Sequence, residues 1–128
     1  MAHVDKLQKQ LNAGTVSLVV LTLLERIREP MYGYQISKIL ESLTDGDLPM
    51  KQGTLYPVLR SLEREGRLES AVEPSSTGPS RRYYRITEAG REALPLWREA
   101  WSKTRDFVDR ILDPSSVPRE VASSQTEK

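Results

Sequence analysis

The feature that most constrains this chain is a change of hydrophobic period at Gly66. Before it, apolar residues recur every three or four positions, the repeat of a helix face; after it they alternate, the repeat of a half-buried strand. The helical period then returns from Glu88 onward. A chain that switches period twice is neither a pure helical bundle nor a β-sandwich. It reads as an α+β domain, mostly α.

The first helical segment carries Leu7, Leu11, Gly14, Leu18, Leu21, Leu24 and Ile27 on one stripe, with Val16, Val19, Val20 and Leu23 on other faces. From Val16 onward this helix is expected to be buried nearly all round, while Leu7 and Leu11 on its polar front end are available to a second chain. Pro30 stops it. Tyr32-Gly33-Tyr34 opens a second helix through Ile36, Ile39, Leu40 and Leu43; residues 44–49 form a loop, and a third helix carries Leu55, Val58, Leu59 and Leu62 until Glu65-Gly66. Two strands are expected, one alternating from Arg67 to Glu73 and one rich in aromatic and β-branched residues from Arg81 to Thr87, joined by a polar tip over residues 74–80. Thr87 suits the N-cap of a last helix, with Glu88 favourable at its positive end; Pro95 in its first turns is tolerated.

Three helices, a hairpin and a fourth helix make a winged helix-turn-helix with an N-terminal helix and a long C-terminal helix. Residues 1–87 are assigned to the winged-helix domain, 88–113 to a dimerisation helix and 114–128 to a polar, disordered tail. In the last helix Leu94, Trp97, Trp101, Thr104, Val108 and Ile111 follow a heptad rather than a globular stripe. A homodimer would bury the two tryptophans, with Leu7 and Leu11 completing a four-helix interface. Tryptophans at such an interface either pack closed or wall a pocket for a planar aromatic effector, which makes Trp97 and Trp101 the candidate effector residues.

Composition narrows the function. The chain has no cysteine and a single histidine, His3, so thiol nucleophiles, hydrolase triads and His or Cys metal centres have nothing to work with. No enzyme, metal or cofactor is expected. The longest apolar-rich stretch, residues 16–24, is broken by Ser17 and Thr22 and falls short of the ~20 residues a membrane span needs. The start of the chain has no secretory pattern, so a cytoplasmic protein without membrane contact is expected.

The overall net charge is only +1, but it is unevenly distributed: −1 over residues 1–50, +3 over 51–87 and −1 over 88–128. The basic set of residues 51–87 is Lys51, Arg60, Arg64, Arg67, Arg81, Arg82 and Arg85, in the third helix and hairpin, against four acidic residues. Duplex DNA is the partner such a set fits, because cations there displace counterions condensed on phosphates. At the start of the third helix Lys51, Gln52, Gly53 and Thr54 place polar side chains beside free N–H donors; Gln52 suits adenine edges, Lys51 guanine or phosphate, Thr54 phosphate or a thymine methyl. Gln52, Tyr56 and Arg60 share the face opposite the core, where the Tyr56 hydroxyl reaches phosphate even if its ring packs on the wing. Strand alternation sends Arg81, Tyr83 and Arg85 one way and Arg82, Tyr84 and Ile86 the other; proximity to the tip favours Arg81 for the DNA. The competing reading is a winged-helix module that offers the same helix to a protein partner.

Gly53-Thr54-Leu55-Tyr56-Pro57, followed by Leu59, Leu62, Glu63 and Gly66, resembles the recognition-helix signature of the PadR-like transcriptional regulators. Gly14-Thr15, Gly33-Tyr34 with Ile36, Arg82-Tyr83-Tyr84 and Thr87-Glu88-Ala89-Gly90-Arg91 stand in the same order and spacing, so the resemblance spans residues 14–94. It implies a homodimer on a palindromic operator, usually a repressor, released by a small molecule, and it adds Arg82 with Tyr83 as wing contacts. Drug-binding members of the short subtype use aromatic groups at the dimer centre, which points again to Trp97 or Trp101. Tyr32 departs from the family pattern, where His is frequent, and a single C-terminal helix places the chain with the short subtype.

Overall fold

The computed structural model describes residues 2–44, 52–116 and 118, with the backbone alone for residues 2–5 and 52. Helix α1 (Ala2–Ile27) is followed by strand β1 (Met31–Tyr32), helices α2 (Gly33–Ser42) and α3 (Gln52–Arg64), strands β2 (Leu68–Glu73) and β3 (Arg81–Ile86), and helix α4 (Glu88–Leu112). This is the expected winged-helix order with one strand added. β1 is only two residues long, too short for alternation to reveal. It pairs antiparallel with β3, Met31 opposite Tyr84 and Tyr32 opposite Tyr83, and the sheet order is β1-β3-β2.

The chain falls into two compact units, residues 1–95 and 96–128, and α4 runs through the division between them. The first unit is built around side chains from every element: Val20, Leu21 and Leu24 of α1, Ile36 of α2, Leu55, Leu59 and Leu62 of α3, and Leu68 of β2 are almost wholly buried. Leu94 joins them from α4, and Gly90 is buried because a Cβ there would run into the Arg67 carbonyl. The first turns of α4 therefore belong to the domain core. α1 is not enclosed all round as its sequence suggested: Val19 is exposed and Leu18 and Leu23 are half-buried. One face of α1 meets α3 and β3.

Local signals end the elements. Arg28, at φ 63°, closes α1 with its N–H on the Leu24 carbonyl, 3.1 Å, a left-handed cap normally given to glycine. Gly66, at φ 81°, ends α3 with paired bonds from Gly66 N–H to the Glu63 carbonyl and from Arg67 N–H to the Leu62 carbonyl, each 2.9 Å. Thr87 caps α4 as expected, its Oγ1 accepting from Gly90 N–H at 3.1 Å while donating to the Gly66 carbonyl at 2.7 Å.

In the second unit α4 continues to Leu112, and Asp113 caps the following turn by accepting from the Ser115 N–H and hydroxyl. Those bonds hold its carboxyl below the usual carboxylate range. Leu96, Trp101, Phe107, Val108, Ile111 and Leu112 are exposed along this stretch, Trp97 is half-buried and Thr104 exposed.

Candidate nucleic-acid interface

α3 is amphipathic: Leu55, Leu59 and Leu62 face the core, leaving Gly53, Tyr56, Arg60 and Arg64 exposed. Pro57 lacks the N–H that would bond the Gly53 carbonyl, but this lies in the second turn, where a single bond is lost. Among the described residues, a Cβ built on Gly53 would meet no atom within 4 Å outside its own helix turn, so no described neighbour requires a glycine there. Lys51 lies outside the described residues, as does the side chain of Gln52.

Beside this face is an open cleft of ≈ 610 Å³ between the start of α2, the exposed side of α3 and the start of β3. Tyr32, Gly33 and Tyr34 form one wall, Tyr56, Arg60 and Glu63 the second, and Arg81, Arg82 and Tyr84 the third. Tyr56 is placed by Gly33: its ring lies where a Cβ at position 33 would be, which fixes the ring while leaving the residue 41% exposed. The Tyr56 ring therefore packs against the start of α2, in the cleft it shares with the wing residues Arg81, Arg82 and Tyr84.

The two adjacent wing arginines reach the same cleft by different supports. The Arg81 guanidinium sits 4.5 Å above the Tyr32 ring, a cation–π contact that orients the group without neutralising it. Tyr32 is in turn stacked on Tyr34 at 6.5 Å and edge-on to Tyr83 at 5.4 Å. Arg82 Nη1 donates to Ser70 Oγ at 2.9 Å, and the Ser70 hydroxyl donates to Glu63 Oε2 at 2.6 Å. Buried Tyr84, opposite Ser70 in the ladder, floors the cleft. Its hydroxyl is pushed above the usual tyrosine value by burial and by the Glu63 charge, against the pull of Arg82 and Arg60.

The basic set read from the sequence thus divides. Arg60, Arg81 and Arg82 line one cleft. Arg85 is paired across the hairpin with Glu69 at 2.6 Å, and Arg67 with Glu65 at 2.6 Å. Thr54, half-buried, turns to the α1 side of α3, lining a hollow with Lys9, Asn12 and Pro57. Tyr83 is absent from the cleft lining; it supports Tyr32 and faces Pro30 and Arg85. Of the stripe expected to pair with a second chain, Leu94 is only 3% exposed and already serves the core, whereas Leu7, Leu11, Trp101, Val108 and Ile111 are exposed. Tyr32, Tyr34, Glu63 and Ser70 were not among the residues expected in the site. The two tyrosines flank Gly33 in a visible Tyr-Gly-Tyr, but a two-residue strand gives no periodic signal, and Ser70 is linked to Glu63 and Arg82 only by the fold. Among the described residues no three His, Cys, Asp or Glu side chains gather to hold a metal.

Comparison with known proteins agrees with this geometry. Residues 20–95 match the model of the transcriptional regulator PadR-like family. A protein of Lysinibacillus sphaericus without an assigned role is 31% identical over 97 residues, covering 76% of this chain and 86% of that protein. A transcriptional regulator from Clostridium thermocellum superposes with a TM-score of 0.70 at 32% identity, covering 79% of this chain and 96% of that one. A PadR-like transcriptional regulator from Bacillus cereus does so with a TM-score of 0.64 at 28% identity, over 83% and 99%. Bacillus subtilis PadR, solved in complex with operator DNA, shares the fold with a TM-score of 0.59 at 22% identity over 66% of this chain and 46% of that one.

Proposed function

The chain belongs to the PadR-like family of transcriptional regulators, and we propose that it acts in the cytoplasm as a homodimeric repressor that binds a palindromic operator and is released by a small-molecule effector. The convergence of Arg60, Arg81 and Arg82 with the exposed Tyr56 on one side of α3 carries this reading. Three guanidiniums beside a helix face suit a phosphate backbone flanking a groove-bound helix, and a glycine in the first turn, Gly53, suits close approach of the duplex. The operator complex of Bacillus subtilis PadR supports it as a case in the same fold.

Dimerisation is supported by the exposed Trp101, Val108 and Ile111, which recur at heptad spacing on α4. Two recognition helices about 34 Å apart would then read two half-sites one turn apart. Trp97 and Trp101 are the residues proposed to meet a planar aromatic effector.

Binding of a labelled duplex, enriched by the protein from a randomised pool, tests the reading over a salt series. Six arginine contacts per dimer predict a log–log salt slope of about −5, and affinity about 10³-fold or more above that for random duplex. Equal affinity for both duplexes would refute it. A saturable change in tryptophan fluorescence with planar aromatic compounds is expected if the effector assignment holds, and a flat response across a varied panel removes it.

A further inference from the structure

An acidic side chain in a surface meant for DNA is an anomaly on simple electrostatics, and Glu63 is one: it lines the cleft with Arg60, Arg81 and Arg82. Its carboxylate forms none of the ion pairs found among the described residues, all of which lie elsewhere. Instead it accepts the Ser70 hydroxyl at 2.6 Å, and the Ser70 oxygen accepts Arg82 Nη1 at 2.9 Å. Resting on the DNA-binding reading above, we propose that Glu63 is a positioning residue for Arg82, acting through Ser70.

The chemistry of the three groups sets the direction of the relay. A serine hydroxyl has one proton and two lone pairs. By taking that proton, the carboxylate leaves the Ser70 oxygen as an acceptor only and makes it a stronger one, since bonds in a chain polarise one another. Arg82 spends one of its five donors on Ser70 and keeps the rest for a phosphate, so its fork is oriented at little cost to its binding capacity. Because Ser70 stands between them, the carboxylate does not pair with the guanidinium and leave it neutralised. Ser70 is fixed by the ladder opposite Tyr84, and Glu63 by α3, so the relay also ties the wing to the recognition helix.

This arrangement predicts the opposite of the simple charge argument. Glu63→Gln removes a negative charge from a DNA-facing cleft, and charge alone would tighten binding. The glutamine amide oxygen can still accept from Ser70 but without charge assistance, and the poorer positioning of Arg82 weakens binding by about 5–10-fold. We would measure anisotropy of the enriched duplex with wild type, Glu63→Gln, Ser70→Ala, Ser70→Thr and Arg82→Ala, and with Glu63→Gln combined with Arg82→Ala, checking each fold by thermal melting. Weakening in Glu63→Gln and Ser70→Ala, recovery in Ser70→Thr, and no further loss from Glu63→Gln once Arg82 is gone are expected. Unchanged or tighter binding by both Glu63→Gln and Ser70→Ala, or an equal Glu63→Gln effect with and without Arg82, overturns the relay while leaving the DNA reading intact. Failure of the wild type to prefer the enriched duplex overturns both.

Discussion

Gly33 and Gly53 show how the same residue type serves opposite ends in this chain. A Cβ at Gly33 would enter the far end of the Tyr56 ring, so that ring must move to admit it, whereas among the described residues a Cβ on Gly53 would meet nothing outside its own helix turn. Gly33→Ala should therefore displace Tyr56 and lower stability by about 1–3 kcal/mol. Gly53→Ala should leave the domain as stable or slightly more so, since alanine favours helix by up to about 1 kcal/mol over glycine. Its cost should fall on DNA affinity, where the added methyl stands between the α3 backbone and a close-approaching duplex. Melting curves and duplex titrations on the two variants separate these cases; a Gly53→Ala protein that binds as tightly as wild type would leave that glycine without a role in recognition.

Among the elements, the start of α4 carries more of the architecture than its length suggests. Thr87 binds four partners at once: its N–H donates to the Arg67 carbonyl at 3.1 Å, its hydroxyl donates to the Gly66 carbonyl, the same oxygen caps Gly90, and its carbonyl accepts from Arg91 N–H at 3.0 Å. The turn that ends α3 and the turn that begins α4 are thereby one hydrogen-bonded unit, tightened by Gly90 against Arg67. Thr87→Ala should cost about 1–2 kcal/mol, at the upper end of N-cap values because the bond to Gly66 goes with the cap. A denaturant midpoint unchanged from wild type would contradict this. The cap was legible in the sequence, since Thr-Glu before a helical repeat has a local cause. The Gly66 bond was not, because it joins residues separated by the whole hairpin.

At the scale of the whole molecule, DNA recognition by a small basic patch depends on doubling. One chain brings three arginines to its cleft, and each half-site contact is multiplied only if two chains are held together. Ile111, 51% exposed and remote in sequence from the cleft, offers a clean test. On the proposed homodimer and palindromic operator, Ile111→Asp should shift sedimentation from dimer to monomer, sharply weaken binding to the palindrome and leave affinity for a single half-site near that of wild type. A variant that stays dimeric would remove Ile111 from the interface.

The sequence by itself determined the element types, their order, the caps at Gly66 and Thr87, and the basic character of the third helix and hairpin, because each has a cause within a few residues: a period, a turn glycine, a cap, a local charge. Only the tertiary structure decided which of those charges act together. It set Arg85 against Glu69 and Arg67 against Glu65, turned Thr54 to α1, drew Leu94 into the core, and gathered Arg60, Arg81 and Arg82 around tyrosines that the chain supplies from four separate elements. The two-residue β1 is the hinge of that difference. Too short to leave a pattern in the sequence, it places Tyr32 beside Tyr83 and beneath Arg81 through pairing with a strand some fifty residues away, and such pairing exists only once the chain has folded.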